Sequence, residues 1–542
     1  MNYVSMASCL AVLVLLVVFS SQIVNVQGLL TDLYKSENKN SLVQNPVKEK
    51  KSSSADRDIL SKLQSTEIHQ EPGSNRSKEN FSDLITSSSR SLNTSLVSSV
   101  KNIWKGLNFY SAADSIDMRP INPPDITIGV SKNYVAQMAH NSIQVWDKTG
   151  KPIAKHSLYD FFNISRGNYL TDPEMIYDNS SGNWFSTIVD GGKIDWKNGL
   201  AYWSCKPDGC SVVLVKSNSD DPIQNRSSMR IKPVSPNFFP DQPKIAVSNS
   251  KVFMTTTEFN VTNENMNFFY TYMIDKNLSN FQVKQRLPQH FVIPEYVPSK
   301  CVSTVGLVKE NKSDMNSNVS LLEIIDQCDP EDIVHIRGPE SVSLTPQFKL
   351  ITPSKFKQPL IDQPLVDDPE LAITSSIRNG QSIWIALHSK CQPFPISNVS
   401  CVRILRLDNV TTETDYAYAL RQNTQFNMIN ADLYYPAIGI SKYGKFFFIS
   451  GFSNSSAFPS VTINELVSMN QTSEVYRIIG SYVNNSTRYG DYFGSSIDPS
   501  DGSIWFSGEY VDQSISIPMP TQFKLKPWLR DQTWSTFIAN VS

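Results

Sequence analysis

The strongest constraint on the fold is a repeated pair of short apolar segments. Each unit opens on a turn with Asp or Pro and continues as an apolar segment. It then reverses at a polar hairpin that often contains Gly and resumes with an aromatic residue near its start. The recognisable units begin at Asp125, Asp172, Asp241, Asp368, Tyr435 and Asp491. Short β-rich segments bounded by turn residues are typical of all-β sandwiches, barrels and propellers.

The spacing of the units predicts the architecture. They begin roughly 50 to 70 residues apart, except for one interval about twice as long, which contains a degenerate copy at 301–328. Four strands of about five residues, with their loops, fill a unit of this length. We therefore predict an all-β chain that forms a β-propeller of seven blades. Six blades follow if 301–328 is an insertion, and a pair of β-sandwiches is the remaining alternative.

The first hundred residues differ from the rest. Residues 10–19 are apolar and uncharged, and Val26 and Gly28 are small residues at the two positions that a signal peptidase inspects. Because this run is too short to span a bilayer, we predict a signal peptide over 1–28, with an uncleaved anchor as the alternative. Residues 29–102 are rich in Ser, Asn and Lys and contain no Trp, which predicts a disordered stalk. The propeller domain is predicted over 103–542.

The cysteines indicate an exported protein. Six lie outside the signal, in close pairs, and neighbour pairing as disulfides is favoured over zinc because no pair has Cys-x-x-Cys spacing. The predicted pairs are Cys205 with Cys210, Cys301 with Cys328, and Cys391 with Cys401.

Glycosylation signals and low charge point the same way. The chain has 17 Asn-x-Ser/Thr sites, which indicate a glycoprotein. Charged residues make up 18% of the chain and the net charge is −2, so there is no basic surface for nucleic acid. We expect an extracellular or cell-surface location, with no membrane span in the mature chain unless the signal is uncleaved.

Candidate functional residues follow from the blade geometry. In such propellers the innermost strand starts, and the second strand ends, at one face of the ring. We place on this binding face the residues Asp172, Asp190, Asp241, Asp368, His140 and His388, with Asp125, Glu174 and Glu370 beside them.

The carboxylates of this face allow three interpretations. The first is structural, because Asp side chains satisfy backbone amides where a blade begins. The second is a Ca²⁺ site formed by Asp172, Asp241, Asp368 and Asp491. The third is catalysis, with the weak candidates Asp491, Glu509 and Glu258 as acids for glycoside hydrolysis. The cofactor is accordingly either none or Ca²⁺.

Aromatic residues begin each second strand. One such residue in each unit is better explained by packing between neighbouring blades than by a carbohydrate platform. These residues are Tyr134, Trp184, Phe253, Trp384, Phe446 and Trp505.

The segment 490–510, with Asp498, Gly502 and Trp505, resembles the sialidase-like (BNR/Asp-box) secreted β-propellers. The resemblance implies a propeller over 104–542 and, in catalytic members, an arginine cluster, a Tyr nucleophile with a Glu partner, and an acid Asp. The arginine signature is matched only loosely at 118–121, which favours a non-catalytic member. We therefore expect a binding or scaffold domain that contacts an extracellular glycan or a surface protein. The alternative is a glycoside hydrolase or lyase acting on extracellular glycans.

Overall fold

The computed structural model describes most of the C-terminal part of the chain, and Thr94–Ser542 form one compact unit. The described residues are 99–112, 123–197, 200–205, 209–233, 238–247, 251–260, 263–286, 290–292, 302–309, 319–327, 334–336, 342–343, 373–379, 382–391, 399–411, 416–468, 471–482, 489–512 and 534–542. The predicted signal peptide and almost all of the predicted stalk lie outside them. Within these ranges, no helix is long and apolar enough to cross a membrane.

The described chain forms antiparallel sheets, most of them meanders of consecutive strands, and the N-terminal strand joins the C-terminal sheet. Sheet 1 contains β2 (Thr127–Val130), β3 (Tyr134–Ala139), β4 (Ser142–Asp147) and β5 (Pro152–Ser157). Sheet 2 contains β6 (Asn168–Asp178), β7 (Asn183–Lys197), β8 (Leu200–Ser204), β9 (Ser211–Ser217) and β10 (Arg226–Ile231). Sheet 3 contains β11 (Phe238–Val247), β12 (Lys251–Asn260), β13 (Asn263–Asp275) and β14 (Phe281–Arg286). Sheet 4 contains β15 (His290–Val292), β16 (Val302–Lys309), β17 (Val319–Gln327), β18 (Val334–Ile336) and β19 (Val342–Ser343).

The remaining sheets complete the domain. Sheet 5 contains β20 (Ile373–Asn379), β21 (Ser382–Lys390), β22 (Ser400–Thr411) and β23 (Tyr416–Phe426). Sheet 6 contains β24 (Asp432–Ile440), β25 (Phe446–Asn454), β26 (Ala457–Ser468) and β27 (Gln471–Ile478). Sheet 7 contains β28 (Gly494–Ile497), β29 (Ile504–Val511), β30 (Trp534–Val541) and β1 (Val100–Asn108). Two short helices are α1 (Phe109–Ala112) and α2 (Leu158–Phe162).

Burial falls from the innermost to the outermost strand of a sheet. All nine residues of β24 and all four of β2 are buried, whereas β5 and β27 are largely exposed. Inner strands are covered on both faces by neighbouring sheets, so they are almost continuously apolar, as in the DLYYPAIGI sequence of β24. Outer strands have room for charge, as in QTSEVYRI of β27.

The ring is closed by the N-terminal strand. β1 is the outermost strand of sheet 7 and pairs antiparallel with β30, so that Trp104 lies opposite Ile538. It begins at Val100, ahead of the predicted domain boundary at 103. Gln137 of sheet 1 donates to Ser507 Oγ (2.6 Å) and accepts from the Leu107 amide (2.8 Å), which ties the closing sheet to its neighbour.

The innermost strands of six sheets line a central cavity of about 120 Å³. These strands are β2, β6, β11, β20, β24 and β28. The propeller prediction is therefore confirmed, and the alternative of paired sandwiches is wrong. Six blades are shown around the cavity, whereas we predicted seven.

The seventh predicted unit explains the difference. It forms sheet 4, which is described by its strand pairing alone and contacts sheet 3 through β15. Residues 302–309 form the second strand of that sheet rather than its innermost strand. The sheets thus number seven, as did the predicted units, while the blades shown around the cavity number six.

The predicted packing between neighbouring blades is confirmed for Trp184, Trp384, Phe446 and Trp505, whereas Phe253 clusters with Ala246 and Met273 of its own sheet. Trp184 and Trp505 are each only 1% exposed, and the Trp384 and Phe446 rings of neighbouring sheets lie 4.8 Å apart. A Cβ on Gly129 would lie 2.4 Å from the Trp184 ring, so the sheet 1 backbone approaches this indole closely.

The innermost strands end at one face of the propeller, which we call the far face. Ion pairs between hairpins of adjacent sheets hold this face together. Lys148 of the β4–β5 hairpin pairs with Asp498 of the β28–β29 hairpin, and Lys276 of sheet 3 pairs with Asp178 of sheet 2. Asp498 also accepts hydrogen bonds from the Trp505 indole (3.1 Å) and the Ser500 amide (2.8 Å).

We expect Lys148→Met to lower the free energy of unfolding by about 1–2 kcal/mol. A hydrogen bond to a charged group contributes more than this when fully buried, and partial exposure of Lys148 reduces it. Urea unfolding followed by circular dichroism measures the change. Lys151→Met, an exposed change on the same hairpin, is the control, and equal stability of the two variants would contradict the proposed tie.

Candidate functional site

Five innermost strands are entered through a residue in the left-handed backbone conformation. The φ angles are 46° at Asp125, 51° at Asp172, 45° at Gln242, 49° at Tyr435 and 67° at Gly490. Three of these residues precede Pro, and the strand register shifts at the same place. The residue before Pro therefore marks a β-bulge within β6, β11 and β24, and at Asp172 the Asp side chain tolerates the left-handed conformation better than most residues.

The structure corrects one alignment between repeats. Gln242, rather than Asp241, takes the left-handed position equivalent to Asp172, and Lys244 then stands where sheet 2 has Glu174. The predicted equivalence of Asp241 with Asp172 was out of register by one residue. Asp172 directly precedes Pro, whereas Asp241 stands two residues before Pro.

Two of the predicted aspartates connect adjacent sheets. The Asp125 carboxylate accepts a hydrogen bond from Thr171 Oγ1 of sheet 2 (3.2 Å). The Asp172 carboxylate accepts one from the Gln242 amide of sheet 3 (3.1 Å). Both side chains are at most 5% exposed. These contacts are the kind that the structural interpretation requires, since each carboxylate satisfies a group at the start of the next blade.

The same aspartates also act on shared neighbours. Burial is the main cause that raises the pKa of Tyr169, and the charges of Asp172, Asp125 and Asp241 raise it further. Burial and the charges of Asp172, Asp125, Glu174 and Asp491 raise the pKa of Tyr492. Carboxylates from sheets 1, 2, 3 and 7 are therefore near one another. We call Asp125, Asp172, Asp241, Asp491 and Glu509 the acid cluster.

Glu509, near the end of β29, is a fully buried member of this cluster. Its side chain is fully buried, and within the described ranges neither carboxyl oxygen has a hydrogen-bond partner at ordinary geometry. Burial, followed by the charges of Asp125 and Asp491, raises the pKa of Glu509 well above its ordinary value, and the Gly490 amide opposes this in part. Glu509 is therefore held in an environment that favours its protonated form, beside two further carboxyls.

An ion pair lies between the acid cluster and the central cavity. Lys244 pairs with Glu174, and its ammonium lies 3.4 Å from the centre of the Tyr492 ring. All three residues line the cavity. An ammonium group held between a carboxylate and a tyrosine ring combines an ion pair with a cation–π contact.

The predicted histidines are both buried and pack against aromatic rings. His388 is buried, which lowers its pKa to about 4, so it is neutral at neutral pH. Its ring packs at 5.3 Å on Tyr435, whose amide approaches Nδ1 at 3.4 Å. His140 is also buried, and the centre of its ring lies 6.3 Å from that of the Trp534 ring. Its backbone amide donates to the Pro124 carbonyl (2.7 Å).

Two further predicted acids have local partners. Asp190 forms an ion pair with Arg230 (2.6 Å) and accepts from Asn168 Nδ2 (2.8 Å). Glu258 is fully buried and accepts from the Tyr272 hydroxyl (2.6 Å), and burial together with this carboxylate raises the pKa of Tyr272.

The predicted Ca²⁺ ligands are only partly within the described ranges. Asp368 and Glu370 lie outside them, and the innermost strand of that sheet begins later, at Ile373. Where the structure describes the chain, no three His, Cys, Asp or Glu side chains are arranged to hold a metal ion. Ca²⁺ binding therefore stays a prediction.

Two predicted disulfides are present at the cluster end of the ring. Cys205 pairs with Cys210 and Cys391 with Cys401, whereas Cys301 and Cys328 lie outside the described residues. The Cys205–Cys210 bridge packs with Val189 and Phe239, against Tyr169. It therefore supports a residue that contacts the acid cluster.

We expect the double change Cys205→Ala, Cys210→Ala to lower the free energy of unfolding by about 2 kcal/mol, since the bridge closes a short loop. Thermal unfolding with and without reductant measures it. Reductant should then shift the variant less than the parent protein; an equal shift would show that this bridge contributes nothing.

Several residues of the site were missed from sequence. Tyr169, Lys244 and Tyr492 were not singled out, although Tyr492 directly follows a predicted Asp. Correct alignment of the Pro residues would have placed Lys244 opposite Glu174 as a charge pair between adjacent blades.

No protein-family model matches the chain, and no curated protein shows significant similarity to it. Solved structures with a similar arrangement include a protein of unknown function from Dyadobacter fermentans, with 8% identity, coverage of 70% of this chain and 96% of that chain, and a TM-score of 0.38. The Trypanosoma rangeli sialidase has 8% identity, coverage of 76% of this chain and 57% of that chain, and a TM-score of 0.32. A Synechocystis apocarotenoid oxygenase variant has 8% identity, coverage of 70% of this chain and 76% of that chain, and a TM-score of 0.36. Similarity at this level concerns the fold alone, so we argue function from the residues of this chain.

Proposed function

We propose that the protein is an exported glycoprotein whose propeller binds an extracellular ligand, a glycan or a surface protein, at the acid cluster. The observation that carries the proposal is Glu509, which is fully buried beside Asp491 and Asp125 of the neighbouring sheet and whose carboxyl oxygens have no hydrogen bond of ordinary geometry among the described residues. A buried polar group without a partner is costly, and a ligand that supplies the missing contacts recovers that cost.

The chemistry of the cluster favours a ligand rich in hydrogen-bond donors. Carboxylates accept from sugar hydroxyls and from ammonium groups. Lys244 shows the second contact within the chain itself, because its ammonium lies between Glu174 and the Tyr492 ring. An amino sugar or a lysine side chain presents the same group.

A binding experiment on the full chain, secreted from a host with a secretory pathway, tests the proposal. Glycan arrays and cell-surface binding assays identify the ligand, and titration gives its affinity. Asp491→Asn is expected to weaken binding about tenfold or more, the effect of losing one hydrogen bond to a charged group. Asp501→Asn is the control, because Asp501 pairs with Lys101 on the far face. Equal affinities for the two variants would count against the acid cluster as the site.

Export has its own test. The composition of residues 1–28 supports a cleaved signal, and the two disulfides are compatible with an extracellular location. The secreted protein should begin at Leu29 when its N-terminus is sequenced. Retention of the N-terminal apolar run would favour the uncleaved anchor instead.

Glycoside hydrolysis is the second candidate, and the state of Glu509 favours it. A carboxyl whose pKa is raised by burial, beside two further carboxyl groups, is the arrangement used by acid–base pairs in glycosidases. Against a sialidase, Arg230 is engaged in an ion pair with Asp190, a residue of the predicted binding face. Turnover of fluorogenic glycosides that Glu509→Gln abolishes, with ligand binding retained, would establish this candidate over the first.

A further inference from the structure

Three glycosylation signals share the face of the propeller opposite the acid cluster. Asn179 lies in the β6–β7 hairpin, Asn225 in the β9–β10 hairpin and Asn277 in the β13–β14 hairpin. In sheet 2 the first two hairpins lie at the same end, because Trp184 at the start of β7 pairs with Ser217 at the end of β9. The acid cluster lies at the opposite end, where β6 begins.

The hairpins of sheets 2 and 3 are held next to each other. Lys276, the residue before Asn277, pairs with Asp178, the residue before Asn179, and also donates to Ser180 Oγ (3.3 Å). Asn179 and Asn277 therefore flank one ion pair that joins two blades.

All three asparagines can carry a glycan in the folded protein. Each side chain is exposed. Asn277 uses only its amide oxygen, which accepts from the Ser279 amide (3.1 Å) and Ser279 Oγ (2.6 Å), so the Nδ2 atom to which a glycan is attached remains unused by the described residues. Asn225 has a left-handed backbone, with φ of 50°, in the last loop position before β10.

Asn540 has the same sequence signal and the opposite environment. It lies in β30, is 2% exposed, and its Nδ2 donates to Ser503 Oγ (2.7 Å). A sugar on this nitrogen would break that contact and could not fit inside sheet 7.

We infer that Asn179, Asn225 and Asn277 carry N-linked glycans that cover the far face of sheets 2 and 3, and that Asn540 carries none. The inference rests on the export proposed above. It does not depend on the ligand-binding role of the acid cluster, and it removes this part of the far face from the surface open to a macromolecular partner. Two further signals, the exposed Asn163 and the half-buried Asn454, lie in connections at the cluster end.

The low charge of the chain gives the sugars a physical role. With charged residues at 18%, the surface relies on uncharged polar groups for its hydration. Glycans on neighbouring hairpins would add hydration and bulk where exposed loops of two blades meet.

Peptide mapping of the full chain secreted from a eukaryotic host tests the inference. Enzymatic release of N-glycans in heavy-oxygen water converts each occupied Asn into labelled Asp. Label is expected at 179, 225 and 277 and not at 540. Secreted protein without label at these three positions, or with label at 540, would overturn the inference, whereas failure to be secreted would instead contradict export.

Paired variants separate occupancy from folding. Asn277→Gln should lower the mass of the secreted protein by one glycan. Ser542→Ala removes the signal at Asn540 without touching the buried amide and should leave the mass of the attached sugar unchanged. The triple change at 179, 225 and 277 is expected to remove three glycans and to lower the protein concentration at which aggregation begins, while the thermal midpoint stays the same. An unchanged aggregation threshold would show that the three glycans do not keep the protein in solution, which contradicts the hydrating role.

Discussion

Trp505→Ala is expected to lower the free energy of unfolding by about 3–5 kcal/mol, the range for removing a large buried aromatic side chain. Trp505 is 1% exposed, its ring lies 5.3 Å from Trp104 of the closing strand, and its indole donates to Asp498. The change therefore creates a cavity and also removes one hydrogen bond from a buried carboxylate.

Denaturant unfolding followed by far-ultraviolet circular dichroism gives this value without relying on tryptophan fluorescence. Tyr443→Ala is a suitable control, because Tyr443 is 72% exposed. Trp505→Phe keeps the ring contact and loses the hydrogen bond, so it should fall between the parent and the alanine variant. A loss below 1 kcal/mol for Trp505→Ala would mean that Trp505 does not anchor the closing sheet.

Glu509→Gln is expected to stabilise the protein at neutral pH and to flatten its dependence on pH. In the folded state the pKa of Glu509 lies well above the ordinary 4.5, so the folded protein keeps a proton that the unfolded chain releases. The contribution of Glu509 to stability is fully present below pH 4.5 and is lost as pH rises through the folded-state pKa. The slope reaches at most about 1.4 kcal/mol per pH unit for one proton.

Glutamine keeps the shape of the protonated acid and cannot ionise, so the variant lacks this slope. The difference in unfolding free energy between variant and parent should be small below pH 4.5 and grow as pH rises from 4.5 towards the folded-state pKa of Glu509. Glu465→Gln, on the partly exposed part of β26, serves as the control. Parallel stability curves for Glu509→Gln and the parent protein would show that Glu509 is ionised in the folded protein.

Strand content could be predicted from the sequence because the inner strands are apolar on both faces. Segments such as 446–449 and 504–506 became parts of β25 and β29, and they were extended mainly at the end that carries polar residues. β1 was missed as a blade strand because the sequence VKNIWKGLN is only partly apolar, and pairing with β30 across the whole domain leaves no local signal.

The candidate site could be predicted in outline and not in detail. Start-of-strand aspartates were expected at one face, and Asp125, Asp172 and Asp491 do share neighbours. Their contacts depend on the left-handed residue that enters each strand, and a shift of one position exchanges Asp241 for Gln242. The burial of Glu509 follows from packing between sheets, which no local sequence pattern contains.

Closure by β1 also sets the order in which the protein can fold. The Thr536 hydroxyl donates to the Leu107 carbonyl across a sequence separation of 429 residues. When the chain is synthesised, residues 100–108 are made long before 534–541. They have no strand partner until β30 is complete, while the intervening sheets can form by local hairpins. Pairing over such a separation is slow because the chain must lose loop entropy before the contacts form. Closure of the ring is therefore expected to be the last folding step, and a chain interrupted before β30 would leave β1 as an unpaired edge open to association with other chains.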